Sequence, residues 1–309
     1  MSVGRPDGGR GTGGAEAAAR RAARAAGVGL RELREVEEVR HGTAVFDSIW
    51  GDRTQLSAEL AIAMAHSDNY VAAAFSSATG ELVGTLVGFR GLLDAGAPYI
   101  HSHILGVVPG AVGRGVGFAL KLHQRAWALE RGIETIGWTF DPLVARNAHF
   151  NVSKLGAEIV SYHEDFYGRM NDKQNGADES DRVLVLWQLA SKRATRAAAG
   201  RPPAVPAATE SRARVILDAG PGGEPVVGPR DELPGPVRIQ VPPDVVAMRR
   251  DDPGLAGRWR HAVRASLRPC LDAGCTVADV SRSGSYLLIE TQTKQRPLGL
   301  STASPRPVL

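Results

Sequence analysis

The apolar positions of this chain change their spacing several times, and each change marks an element. Residues 1–27 carry glycine, alanine and arginine with no apolar period beyond alanine, which predicts a disordered or partly helical tail outside the fold. From Leu30 to Leu189 the patterning strengthens. Helices are predicted near 35–49 and 55–66, followed by strand-like runs at Tyr70–Phe75, Leu82–Phe89 and Ile100–Val108. The turn "SSATGE" joins the first two of those strands as an antiparallel hairpin.

Past the glycine-rich stretch "VGRGVGFAL" (Val112–Leu120), Ala119, Leu122, Ala126 and Leu129 share one helix face, and Gly132 ends that helix. A strand (Ile133–Phe140), a helix (about Val144–Leu155, closed by Gly156) and strands near Glu158–Tyr162 and Val183–Leu189 follow. Strand, glycine loop, helix and strand in that order form a right-handed crossover, with the loop at the carboxyl end of a strand. Residues 28–190 therefore read as one mixed α/β domain. Residues 191–236, loaded with Ala, Pro and Gly, read as a linker. Residues 237–292 read as a small strand–helix–hairpin subdomain, whose helix Pro253–Asp272 repeats Leu255, Trp259, Val263 and Leu267. Residues 293–309 read as a disordered tail.

At 309 residues, 43% of them hydrophobic, the chain has enough material for one large core plus a smaller unit. No run of about 18 apolar residues and no secretory h-region stands out, so a cytoplasmic protein without membrane contact is expected. Cys270 and Cys275 lack a CxxC spacing, which argues against a metal ribbon or a disulfide framework. A net charge of +4 suggests nucleic acid at first sight, but arginine is dispersed and no like-charge block occurs. A mildly basic enzyme attracting an anionic ligand fits better; a homodimer is left open.

The glycine stretch fails two familiar phosphate motifs. A GxGxxG fingerprint starting at Gly113 or Gly115 needs glycine where Phe118 or Leu120 stands, and a Walker loop from Gly110 needs Lys and Ser/Thr where Val116 and Gly117 stand. What survives is their shared physics: glycines admit close backbone approach, and a helix starting there aims free N–H groups at an anion.

The stretch from His103 to Gly156 resembles the GNAT (Gcn5-related N-acetyltransferase) superfamily of acyl-CoA-dependent N-acyltransferases. The likeness is carried by "LGVVPGAVGRGVG", by "ALKLHQRAWALERGIETIGWTF" and by "ARNAHFNVSKLGAEI". Together with "VPPDVVAMRRDDPGLAGRWR", "GWTFDPLVARNAHFNVSKLGA" is similar to a little-characterised branch of predicted GNAT acyltransferases with a C-terminal extension. The resemblance implies a mixed, mostly antiparallel twisted sheet flanked by helices. It implies that main-chain N–H groups of Gly113, Arg114, Gly115, Val116, Gly117, Phe118 and Ala119 hold the coenzyme A pyrophosphate. The pantetheine arm would run beside Leu105, Gly106 and Val107 where the sheet splays, faced by Asn147 and Asn151 four apart on one helix. Two departures stand out: Val112 takes the usual Gln/Arg position, leaving Arg114 to supply charge, and Val152 stands where many relatives carry a tyrosine acid.

Acyl transfer to an amine needs a base, a polarised carbonyl and a leaving thiolate. His101 and His103, two apart on the strand entering the site, are the candidate bases. N–H groups around Gly106 and Val107 are candidate oxyanion donors. Tyr162 and Tyr167 are candidate replacement acids, or amphipathic wall residues. Trp138 and Asp141 end the strand after the crossover and are candidates for acceptor binding, with Asp141 equally suited to an N-cap. The H-x-H pair has no third ligand of convincing spacing, so no metal is expected. His123 reads as a packed core residue. The expected activity is acetyl transfer from acetyl-CoA, or transfer of another acyl such as succinyl, to a small-molecule amine such as an amino acid, by direct attack in a ternary complex. The alternatives are protein N-acetylation and a catalytically inert acyl-CoA-binding or nucleic-acid-associated regulator.

Overall fold

A computed structural model describes residues 9–51, 56–94, 96–168, 178–202, 204–229 and 235–291. In chain order the first part runs α1 (Gly9–Ala26), β1 (Val28–Glu32), α2 (Val36–Trp50), α3 (Ala58–His66), β2 (Tyr70–Ser76), β3 (Leu82–Leu92), β4 (Pro98–Val107), α4 (Val116–Glu130), β5 (Thr135–Phe140), α5 (Ala145–Ala148), β6 (Glu158–His163) and β7 (Arg182–Gln188). The second part runs α6 (Lys192–Ala198), α7 (Ala207–Ser211), β8 (Arg214–Ala219), β9 (Pro225–Val227), β10 (Val237–Gln240), α8 (Val245–Asp251), α9 (Pro253–Asp272), β11 (Cys275–Val280) and β12 (Ser285–Glu290).

β1 to β7 form one sheet in the order β1-β2-β3-β4-β5-β7-β6, antiparallel at every step except β4 to β5. Period-two alternation gives each face its own core. On β2, Tyr70, Ala72 and Ala74 join the core that includes α4, while Val71 and Ala73 join Leu33, Val39, Phe46 and Ala61 of the opposite core. The expected mixed, mostly antiparallel sheet flanked by helices is therefore the fold that forms, with a second sheet appended.

Two expected boundaries need correction. The tail expected at 1–27 contains α1, a helix from Gly9 packed along α4. Its alanines supply the reason: Ala15, Ala18, Ala19 and Ala23 recur at helical spacing and are buried. The linker expected at 191–236 holds α6, α7, β8 and β9. β8 pairs parallel with β10, and its Ile216 and Leu217 are buried, completing a sheet of order β11-β12-β10-β8-β9. Residues 1–8 and the tail expected at 293–309 lie outside the described residues.

Helices α8 and α9 of the appended unit dock through buried charge. Arg260, 1% exposed, donates to Asp141 Oδ1 at 2.8 Å and Oδ2 at 2.9 Å, and to Asp178 Oδ2 at 2.7 Å. Arg249 adds bonds to Asp141 at 2.5 Å and Asp178 at 3.1 Å. Beside them Arg264 donates to Asp181 and Glu179, and the Tyr162 hydroxyl donates to Asp181 at 2.5 Å. Burial alone would raise the Asp141 carboxyl, but Arg260, by charge and hydrogen bond, with Arg249 and Arg182 behind it, holds it well below the usual carboxylate range. Asp181 is likewise lowered, against its burial, by hydrogen bonds from Arg264 and Tyr162.

Two predictions follow from this packing. Ala19→Leu overpacks the α1–α4 seam and lowers stability by about 1–3 kcal/mol, whereas the same change at exposed Ala25 shifts it by less than about 0.5 kcal/mol. Equal melting temperatures for the two variants would show that α1 does not pack. Asp141→Asn strands two buried arginines and costs about 3–5 kcal/mol at pH 7 in urea unfolding. Because the folded-state carboxyl is depressed, its contribution is complete above the ordinary carboxylate range, starts to fall as pH enters that range and is lost as pH drops on through the depressed folded value. The gap between Asp141→Asn and wild type should therefore narrow in acid; a gap independent of pH contradicts the pairing.

Candidate functional site

β4 ends at Val107, a single 3-10 turn covers Pro109–Ala111, and the chain then enters α4 through Gly113 and Gly115. Both glycines are left-handed, with φ of +85° and +89°, a region that costs other residues strain. Gly115 caps α4 without a side-chain cap, and no acidic residue sits in the first turn. Among the described residues, the N–H groups of Gly113, Gly115, Val116, Gly117 and Phe118 donate to no main-chain acceptor, whereas those of Arg114 and Ala119, expected to join them, are taken by Ala111 O at 3.3 Å and Gly115 O at 3.0 Å. They belong to one turn of chain at the positive end of a 15-residue helix. Arg114 and Val112 are both exposed beside them, so Val112 blocks nothing. Lys154, which sequence reasoning passed over, adds a second cation 5.9 Å from the Phe118 ring.

β4 and β5 pair only at Ile100↔Ile136 and His101↔Gly137. Beyond those two pairs β5 continues alongside β7 as far as Phe140↔Val183, while β4 runs on to Val107 with no partner on that edge among the described residues. A wedge therefore opens between the strands, with Ser102 and Trp138 at its apex and the glycine loop at its mouth. Leu105, Gly106 and Val107 lie on the free edge. The apex is about five residues of strand, roughly 17 Å, from the loop.

At the apex β4 carries one extra residue. Val87 pairs with Ile104 and Gly88 with Ser102, so His103 is a bulge. Below the bulge Ser102 faces α4, and above it Ile104 faces the opposite core. The structure brings the two histidines together, with ring centroids 6.2 Å apart, against Phe89 at 4.9 Å from His101 and 5.9 Å from His103. His101 is half-buried and His103 exposed. Burial pushes the His101 imidazole down to about 4, helped by the charges of His103 and Lys121. Burial on one side also lowers His103 below its ordinary 6.5. Both rings are therefore neutral at pH 7, and His103 is the stronger and more accessible base.

Several expected site residues do other work. Asp141 is consumed by Arg249 and Arg260 and also accepts from Leu143 N at 2.9 Å, so it turns the chain after β5 and has no free oxygen for an ammonium. Tyr162 is not a proton donor for the wedge. Its burial, and then the Asp181 charge and hydrogen bond, raise its hydroxyl far above the ordinary tyrosine value. Tyr167 is exposed, with its hydroxyl 3.2 Å from Thr139 Oγ1 at the end of β5. Trp138 is buried edge-to-face on Trp187, and Lys121 Nζ sits 3.6 Å from its ring centroid, so it forms the apex rather than an acceptor wall.

Asn147 and Asn151 do not share a face. The helix expected across 144–155 is one α turn followed by a π turn over His149–Lys154, and the wider turn leaves Asn147 exposed and Asn151 buried. Val152 is wholly buried, so no side-chain hydroxyl stands at that position. His123 is a core residue, its Nδ1 2.7 Å from the Tyr70 hydroxyl. Among the described residues no cluster of His, Cys, Asp or Glu is arranged to hold a metal ion, and no helix is long and apolar enough to cross a membrane.

No protein-family model and no curated protein matches this chain in sequence. Solved structures similar to it include the ribosomal-protein-S18-alanine N-acetyltransferase of Escherichia coli, at 13% identity and a TM-score of 0.43, covering 53% of this chain and 95% of that one. An acetyltransferase of the GNAT family from Streptococcus pneumoniae is 15% identical with a TM-score of 0.42, covering 52% and 98% respectively. A protein of Salmonella typhimurium, solved with acetyl-CoA as its cofactor, is 16% identical with a TM-score of 0.42, covering 55% and 98%. The first two of these are described as acetyltransferases, and the second as one of the GNAT family.

Proposed function

We propose that this chain is an acyl-CoA-dependent N-acyltransferase that moves an acetyl group to a small-molecule amine by direct attack in a ternary complex. The observation that carries the proposal is the wedge between β4 and β5, open from His101 and Gly137 onward, with five loop N–H groups at its mouth that have no main-chain acceptor among the described residues. The residues present fit coenzyme A. The loop from Gly113 to Phe118 offers a pyrophosphate N–H donors and the positive end of α4, with Arg114 and Lys154 nearby for charge. The free edge of β4 offers the pantetheine amides the hydrogen bonds of a missing strand.

His103 takes the proton from the attacking amine, being neutral at pH 7 and at the apex of the wedge. An oxyanion formed at the apex lies about four residues of strand, roughly 13 Å, from Gly106 and Val107. The polarising N–H groups therefore belong to the bulge around His103, not to Gly106 and Val107. Phe89 and Tyr99, whose rings lie against His101, and the exposed Tyr167 hydroxyl beside Thr139 of β5 are the groups we assign to receiving the acceptor.

The test is binding first and turnover second. At 100-fold excess over Kd, acetyl-CoA should stabilise the protein by about 2.7 kcal/mol in a thermal-shift assay, while duplex DNA has no effect. Gly115→Glu should abolish that shift, whereas Gly115→Asn, which tolerates the left-handed conformation and keeps the N–H, should retain it. His103→Ala should bind acetyl-CoA normally and release coenzyme A about 100-fold more slowly against a panel of amines. Wild-type turnover should fall as pH drops through the His103 value, below 6.5, and that limb should be absent from the variant. Lack of stabilisation by acetyl-CoA, succinyl-CoA and free coenzyme A alike would refute the proposal.

A further inference from the structure

We infer that Lys121 is the proton donor to the sulfur that leaves the thioester, filling the chemical role left open by Val152. This rests on the acyltransferase proposal. Lys121 is 3% exposed, on the face of α4 that meets the wedge. Its Nζ lies 2.8 Å from Ser102 Oγ and 3.6 Å from the Trp138 ring centroid. Ser102 and Trp138 are the first residues of β4 and β5 past the last pair that joins those strands, so the ammonium bridges the apex itself. Ser102 Oγ gives its own hydrogen to Gln124 Oε1 at 2.9 Å, which leaves its oxygen to accept from Lys121. One N–H is thereby held and another faces the Trp138 ring, leaving a third for the wedge.

Nothing in the fold explains this lysine as an ion pair: among the described residues no carboxylate lies within salt-bridge distance of it. The groups packed around it are Ser102 on β4, Trp138 on β5 and Gln124 on α4; the titratable neighbour is His101, on the opposite face of β4. Burial lowers the amine well below its ordinary 10.5, so the ammonium gives up its proton more readily than a solvated lysine does.

The step balances. The amine nitrogen bonds to the acyl carbon, the C–S bond breaks, and its electron pair goes to sulfur. Lys121 gives its ammonium proton to that sulfur, forming the thiol and a neutral lysine, while His103 removes the proton from nitrogen. Water then takes the proton from His103 and restores one to Lys121, so amine and thioester become amide and thiol.

Lys121→Met keeps the apolar stem and removes the proton. It should retain the acetyl-CoA thermal shift, lower kcat about 100-fold, and lose the alkaline decline of the wild-type pH profile. With acetyl-selenocoenzyme A, whose selenol leaves without an acid, the variant should turn over almost as fast as wild type. Lys121→Gln, which keeps a hydrogen-bond donor for Ser102, should show the same donor dependence even if the Met variant folds poorly. An equal loss with both donors, or wild-type rates with acetyl-CoA, overturns the inference while leaving the acyltransferase proposal intact. Failure of the wild type to bind or turn over acetyl-CoA overturns both.

Discussion

The parting of β4 from β5 after two pairs is the constraint on which the rest of the structure hangs. Parallel neighbours cannot be joined by a tight turn, so the chain must leave β4, cross one face as α4 and return as β5. That crossover sets the start of α4, with its unpaired N–H groups, at the mouth of the gap and sets Lys121, on the second turn of the same helix, at the apex. The bulge at His103 acts on the other strand. By adding one residue it turns Ser102 toward α4 and brings both imidazoles onto Phe89 on the opposite face.

An open sheet edge inside a core is costly unless its walls are held apart. β5 is held on its far side by β7 through six pairs, and its end is pinned by Asp141 to arginines of the appended unit. The C-terminal sheet thus serves as a buttress for the wedge. Arg249 of α8 and Arg260 and Arg264 of α9 pair with Asp141, Asp178 and Asp181, which would otherwise carry uncompensated charge in or beside the core.

How much of this was legible in the sequence depended on the range of the interaction. The glycine loop was legible because left-handed backbone leaves a residue signature, as at Gly113 and Gly115, and because α4 follows it with a clear apolar face. α1 was missed because its contact surface is alanine, which carries little weight in a hydrophobic count, although Ala15, Ala18, Ala19 and Ala23 hold the spacing. β8 was hidden among prolines and glycines despite the run Val215, Ile216 and Leu217. The fate of Asp141 could not be read, since its partners stand 108 and 119 residues away. Asn151 moved out of line with Asn147 because a π turn has no signature in spacing. Lys121 looks like any solvated helix lysine until the fold buries it against Trp138.

The decisive observation is amide hydrogen exchange across residues 112–120, with and without coenzyme A. Exchange at Gly113, Gly115, Val116, Gly117 and Phe118 should be fast in the free protein, where these groups lack main-chain acceptors, and should slow strongly on binding, together with amides along Leu105–Val107. Unchanged exchange in the loop at saturating coenzyme A would contradict the view that this backbone is an anion cradle opening into the wedge.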